Sequence, residues 1–196
     1  MKQLFISVGR EFGSGGHEIA QKLSEIYNLP LYDRNLLKEV ADTKNIDVDS
    51  LEEFDEIKKK KLFSRTVRGM SSSPETAVAK LQFDYLKKKA DNGDSFVIVG
   101  RCAETVLKDN EGMISLFILG DRDVRAERVM TIYNKSKKEA LDYMDYKDKA
   151  RKEYHNSLCP GKWGDSRNYE LSINSSKLGI DETVNLLVDY INARRK

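Results

Sequence analysis

Several of the residues that most often announce a protein's chemistry are scarce in this chain. There are two cysteines among 196 residues, Cys102 and Cys159. They are too few for a disulfide framework and too far apart for a paired-cysteine metal motif. A reducing, cytoplasmic setting is the expectation. Only two histidines occur, His17 and His155, and there are only three prolines and no low-complexity linker. Nothing therefore divides the chain, and a single domain over 1–196 is expected. Charge of either sign is not in excess: 34 basic residues face 32 acidic ones, for a net charge of +2. That balance gives no broad basic field, so no nucleic-acid partner is expected. No apolar run approaches the ~18–20 residues of a membrane span. The start, Met1-Lys2-Gln3-Leu4, enters an apolar run with no small-residue cleavage site, so no secretory signal is expected. The sequence leaves the oligomeric state open.

Short apolar runs alternate with helical patterns. Leu4 to Val8, Leu29 to Tyr32, Phe96 to Val99, Met113 to Leu119 and Glu170 to Ile173 read as strands. The run Phe96-Val97-Ile98-Val99 has no polar alternation, as in a parallel strand covered on both faces. Between the strands, helical periodicity predicts helices after Gly16, over Glu75–Ala90, over Asp121–Asn134, from Ser136 to about His155, and over Ile180–Arg194. The stretch from Asn35 to Phe63 is charged and mostly helical, with Lys58 to Lys61 read as a solvated face. Met70-Ser71-Ser72-Ser73-Pro74 reads as a break. This alternation predicts an α/β fold of three layers around a parallel sheet, with ligands bound beyond the carboxyl ends of the strands.

A glycine-rich loop follows the first strand: Gly9-Arg10-Glu11-Phe12-Gly13-Ser14-Gly15-Gly16-His17-Glu18. Glycines admit close approach to a phosphate, and the helix start offers backbone N–H donors and a favourable dipole. Yet the standard pattern G-x-x-x-x-G-K-[ST] fails at three of its positions. With Gly15 as its second glycine, Gly16 replaces the lysine, His17 replaces the serine or threonine, and Arg10 replaces the first glycine. The loop by itself thus permits either a phosphate cradle or a strand-to-helix turn without a ligand.

Basic residues cluster near the ends of strands. Asp33-Arg34 follows the second run and Arg101 follows Gly100 at the end of the Phe96–Val99 strand, where a guanidinium can meet an anion bidentately. Arg122, Arg125 and Arg128 share one helix, and Lys147, Asp148 and Arg151 the next. Such a helix pair could place positive charge on a phosphoryl group, or form surface salt bridges to Glu127, Asp145 and Asp148. His155 reads as a surface residue, and Cys102 as a small buried residue with no histidine near it in sequence. Trp163 and Tyr169 read as packing a long loop against the body.

Taken in order, Gly9 to Gly16, Tyr32-Asp33-Arg34, Val97 to Ala103, Arg125-Ala126-Glu127-Arg128, Asp148 to Tyr154, Trp163-Gly164-Asp165 and Tyr169 to Ser176 resemble the cytidylate kinase-like family, a branch of the P-loop nucleoside monophosphate kinases. The resemblance implies a three-layer α/β P-loop kinase fold with a helical monophosphate-binding insert near 35–74 and a helical lid near 134–168. It implies transfer of the γ-phosphate of ATP, with Mg²⁺, to CMP, dCMP or another small phosphorylated acceptor. By carry-over, Gly13, Ser14, Gly15, Gly16 and His17 would hold donor phosphates, and Arg34 and Arg101 the acceptor's phosphate. Asp33 would hold a Mg²⁺-bound water, and no residue is carried over as a direct metal ligand. Arg125, Lys147 and Arg151 would supply charge near the donor, Asp148 would orient the lid arginines, and either Arg10 or the lid residues would stand in for the lysine. A nucleotide-binding regulator without catalysis is the alternative reading.

Overall fold

The computed structural model describes residues 2–33, 35–44, 66–67, 70–71 and 74–196. Arg34 and Lys58 to Lys61 lie outside the described residues, as does much of the expected insert. The first apolar run forms β1 (Phe5–Arg10), and the glycine loop leads into α1 (Gly16–Tyr27). Then come β2 (Leu31–Tyr32), α2 (Leu36–Lys44), β3 (Thr66–Val67), β4 (Met70–Ser71) and α3 (Pro74–Asp91). The second half holds β5 (Phe96–Val99), α4 (Ala103–Val106), β6 (Met113–Leu119), α5 (Arg122–Tyr133), α6 (Lys137–Leu158), β7 (Leu171–Asn174) and α7 (Ser175–Arg194).

Five strands form one parallel sheet in the order β2-β5-β1-β6-β7. β1 is central and buried from Phe5 to Gly9, so it carries apolar side chains on both faces. The twofold period of β5 shows how the layers divide. Val97 and Val99 join Ile6, Val8, Ile19, Leu23, Leu187 and Ile191 under α1 and α7. Phe96 and Ile98 join Phe5, Tyr32, Leu36, Val40 and Leu86 under α2 and α3. The three-layer α/β fold expected from the sequence is therefore the fold observed. A smaller cluster of Phe12, Ala126, Val129, Ala140 and Met144 packs α5 against α6 and seats both on the loop.

Local chemistry sets the helix ends. Asn28 and Asn134 close α1 and α5 in the left-handed conformation that asparagine tolerates. Ser136 and Glu139 form a reciprocal capping box that starts α6 afresh. In α7 the chain leaves helical geometry at Gly179, so the uninterrupted helix begins at Ile180, where the periodicity predicts it. One expectation is corrected. Met70 and Ser71 do not form a break but pair with Thr66 and Val67 in an antiparallel ladder. Serine-rich composition hid a ladder made by backbone groups. No described helix is long and apolar enough to cross a membrane.

The register places the loop. Val8 pairs with Val99 and Arg10 with Ile118, so residues from Glu11 onward lie beyond the carboxyl ends of β1, β5 and β6. Truncating the fully buried Ile6 on the central strand is expected to cost about 2–5 kcal/mol, read from urea unfolding. A loss below about 1 kcal/mol would contradict this account of the core.

Candidate functional site

The loop bends by means of Gly13 and Gly15, at φ 82° and 79°. The cost is low because neither carries a Cβ. At Gly13 a Cβ would also lie 2.9 Å from the Arg125 carbonyl oxygen, so α5 presses directly on the backbone there. Ser14 is buried. Its hydroxyl donates to the Glu11 carbonyl at 2.9 Å, and its own carbonyl accepts from the Ser175 hydroxyl at 2.6 Å. Gly15 starts α1 with no side-chain cap, so the first-turn N–H groups are left without a capping acceptor from this residue.

Arg10 fills the space beside Gly16, the position at which the standard pattern has its lysine. A Cβ on Gly16 would lie 2.5 Å from the Arg10 Cβ and 3.1 Å from its Cγ. A Cβ on Gly100 would overlap the Arg10 Nη1. The Arg10 stem therefore crosses over Gly16, and its guanidinium reaches the end of β5. Glycine at 16 and arginine at 10 express one steric fact: a lysine stem at 16 would start inside the arginine's.

Arg125 is 5% exposed and held between two carboxylates. Its Nη1 lies 2.8 Å from Glu11 Oε2, and its Nη2 donates to Asp148 Oδ2 at 2.7 Å. Each carboxylate also accepts from a backbone N–H: Gly120 donates to Glu11 at 3.0 Å and Phe12 to Asp148 at 2.7 Å. The clamp ties the loop, the end of β6, α5 and α6 together. Burial pushes the Asp148 carboxyl above its ordinary pKa, against the opposing pull of the Phe12 N–H and Arg125. Arg151 sits beside the clamp, donating to the Arg10 carbonyl at 3.3 Å with its guanidinium over the Phe12 ring at 5.2 Å. Lys147 faces the rings of Tyr143 and Tyr146 at 5.3 and 6.0 Å. The other helix arginines make surface pairs, Arg122 with Asp145 and Arg128 with Glu18. Glu11 was not singled out in the sequence. Its only signal there was a carboxylate within a loop suited to anions.

His17 and Asp33 meet at 2.7 Å, from Nε2 to Oδ2, so the first turn of α1 touches the end of β2. Asp33 Oδ1 accepts from the Asn35 N–H at 3.1 Å. Arg101 is 5% exposed. It lies in a run of left-handed residues: Gly100 at φ 75°, Arg101 at 59° and Cys102 at 55°. Two non-glycine residues in that region store about 1–3 kcal/mol each, a cost met by the surrounding packing.

The expectation for His155 is overturned. It is 6% exposed, and its Nε2 lies 2.7 Å from Glu104 Oε1. Cys102 and Cys159, far apart in sequence, are both buried and within 4.8 Å of it at their ligand atoms. Sequence distance concealed this because α6 returns its last turn to the end of β5. Contact with Cys102, aided by His155 and Thr105, outweighs burial and lowers the pKa of the Cys159 thiol. Burial works against a charge on His155, but Cys159 and Glu104 raise its pKa to about 10. Trp163 and Tyr169 pack on Phe117 at 5.3 and 4.8 Å between ring centroids, as expected for a loop held to the body.

The clamp yields a direct test. Arg125→Met leaves two partly buried carboxylates without their cation and is expected to cost about 3–5 kcal/mol in chemical denaturation. A cost below about 1 kcal/mol would show that the loop and helices hold together without it.

An uncharacterized protein from Eubacterium ventriosum ATCC 27560 has a similar structure, with 42% identity and a TM-score of 0.77 over 97% of this chain and 99% of that one. Shikimate kinase from Bacteroides thetaiotaomicron shares the fold at 16% identity, with a TM-score of 0.55 over 96% of this chain and 98% of that one. A gluconokinase from Sinorhizobium meliloti 1021 does so at 12% identity, with a TM-score of 0.56 over 98% and 94%. Among curated proteins none matches. Residues 5–177 match the model of the cytidylate kinase-like family, and the chain belongs to that family.

Proposed function

We propose that this protein is an ATP-dependent phosphotransferase that moves a γ-phosphate to a small phosphorylated acceptor, with nucleoside monophosphates as the first class and CMP or dCMP as the first members. The observation that carries the reading is the Arg10 guanidinium, which crosses Gly16 to reach Gly100 and so lies between the glycine loop and the acceptor-side strand end. A cation there is placed to stabilise charge on a phosphoryl group in transfer, the work otherwise done by the loop lysine.

The remaining roles follow from position. The backbone of Gly13 to His17 holds donor phosphates at the start of α1. Arg101, buried beyond β5, holds the acceptor's phosphate, and Arg34 is assigned the same task from the family pattern. Arg151 and Lys147 bring charge from α6, while Arg125 positions that helix through Glu11 and Asp148. Mg²⁺ neutralises donor phosphate charge when bound. Oxygen donors suit it, so Asp33 would hold it through a bound water, with His17 fixing the Asp33 carboxylate rather than ligating.

Release of ADP, measured with ATP and Mg²⁺ across CMP, dCMP, UMP, AMP and GMP, tests the reading. Turnover with one acceptor is expected. It should fall at least ~10-fold in both Arg101→Ala and Arg10→Met, since each removes a charged contact to the transferring or accepted phosphate. Unchanged turnover in Arg101→Ala would refute the acceptor assignment. ATP binding by calorimetry with no turnover on any acceptor would instead assign a nucleotide-binding regulator.

A further inference from the structure

A second constellation lies apart from the loop, where the last turn of α6 meets the turn after β5. His155 lies in the last turn of α6 and Cys159, four residues on, is the residue that caps it, its N–H donating to the His155 carbonyl at 2.8 Å. Cys102 comes from the left-handed turn that also carries Arg101. All three are buried, and both cysteines are free thiols. The Sγ atoms and an imidazole nitrogen lie within 4.8 Å of one another. Ligands about a tetrahedral zinc ion, with Zn–S near 2.3 Å and Zn–N near 2.0 Å, sit roughly 3.5–3.8 Å apart. Closing the cluster on an ion thus takes a shift of about 1 Å, within reach of side-chain adjustment.

The histidine supplies an independent observation. Its Nε2 is occupied by Glu104 Oε1 at 2.7 Å, and both side chains are at most 7% exposed. Its Nδ1 is buried and has no hydrogen-bond partner among the described residues. A buried orphan nitrogen is costly, and a histidine whose far nitrogen is fixed by a carboxylate is the usual form of a metal-ligating one. Two sulfurs and one imidazole are borderline-soft donors. They suit Zn²⁺ and are poor ligands for Mg²⁺, so this site is chemically distinct from that of phosphoryl transfer.

We propose that Cys102, Cys159 and His155 form a zinc site, with Glu104 orienting the histidine and a water completing the coordination. The ion joins the end of α6 to the turn that holds Arg101. Its binding displaces protons from the ligands and stabilises the folded state by linkage.

The full chain, purified under reducing conditions without chelator, is assayed for zinc, stripped, and titrated with Co²⁺ alone and Zn²⁺ alone. One equivalent is expected to bind. Co²⁺ should give thiolate-to-metal charge transfer in the near ultraviolet with the visible bands of a tetrahedral site, and Zn²⁺ should raise Tm. Cys159→Ser should remove most of the charge transfer. Glu104→Gln keeps all three ligands and should weaken affinity about 10- to 100-fold. The proposal is overturned if the reduced, folded protein shows no charge transfer. It is also overturned if Co²⁺ binds equally well in Cys159→Ser, or if the protein from reducing conditions carries Cys102 and Cys159 as a disulfide, shown by a mass lower by two hydrogens.

Discussion

The ion triad of Glu11, Arg125 and Asp148 is the constraint on which the rest of the site depends. Each member belongs to a different segment, and each carboxylate does a second job at a backbone N–H. Without Arg125, two partly buried carboxylates would face each other across the loop, and the cluster of Phe12, Val129 and Met144 would lose the ion pair that anchors it. Buried charge is expensive to create and expensive to break, so such a triad fixes geometry more than it adds net stability. What it fixes here is the distance from the glycine loop to the helices that bring Arg151 and Lys147.

The loop's departure from the standard pattern then has a physical account. Positive charge is still present beside the loop; it is carried on another stem. An arginine rooted at the end of β1 starts from the rigid centre of the sheet, whereas a lysine at position 16 would start from the first turn of α1. The guanidinium is planar, always charged and able to donate bidentately, so it holds phosphate oxygens in a defined plane where an ammonium acts as a point charge. The exchange requires glycine at 16, to clear the stem, and at 100, to clear the head.

Much of the fold was legible because apolar runs and helical periodicity are local. β5 and β6 fall on their expected residues, and the capping pair Ser136 and Glu139 marks the start of α6. The glycine loop was legible as a place, and the cationic residues as types. One partner was not. Asp148 was expected beside the helix arginines, but Glu11 is an unremarkable carboxylate until the fold brings residue 11 to Arg125. The cluster of Cys102, Glu104, His155 and Cys159 is likewise a product of tertiary structure; its one sequence trace is the i, i+4 spacing of His155 and Cys159 on a helix end. Met70 and Ser71 were misread because their ladder depends on backbone pairing rather than side-chain pattern.

The separate start of α6 at its capping box has a mechanical consequence. The left-handed Asn134 and the extended Ser136 interrupt the helical path from α5, so α6 runs on its own axis as one rod and is joined to α5 by side chains rather than by a continuous helix. With 22 residues the rod is about 33 Å long. A tilt of about 5° about its Cys159 end carries the Ser136 end through about 3 Å, the length of a hydrogen bond. Asp148 and Arg151 lie partway along the rod and move through less than half that distance. Pivoted at its Cys159 end, the helix would be a lever in which a gross movement at the surface became a fine adjustment of charge beside the loop.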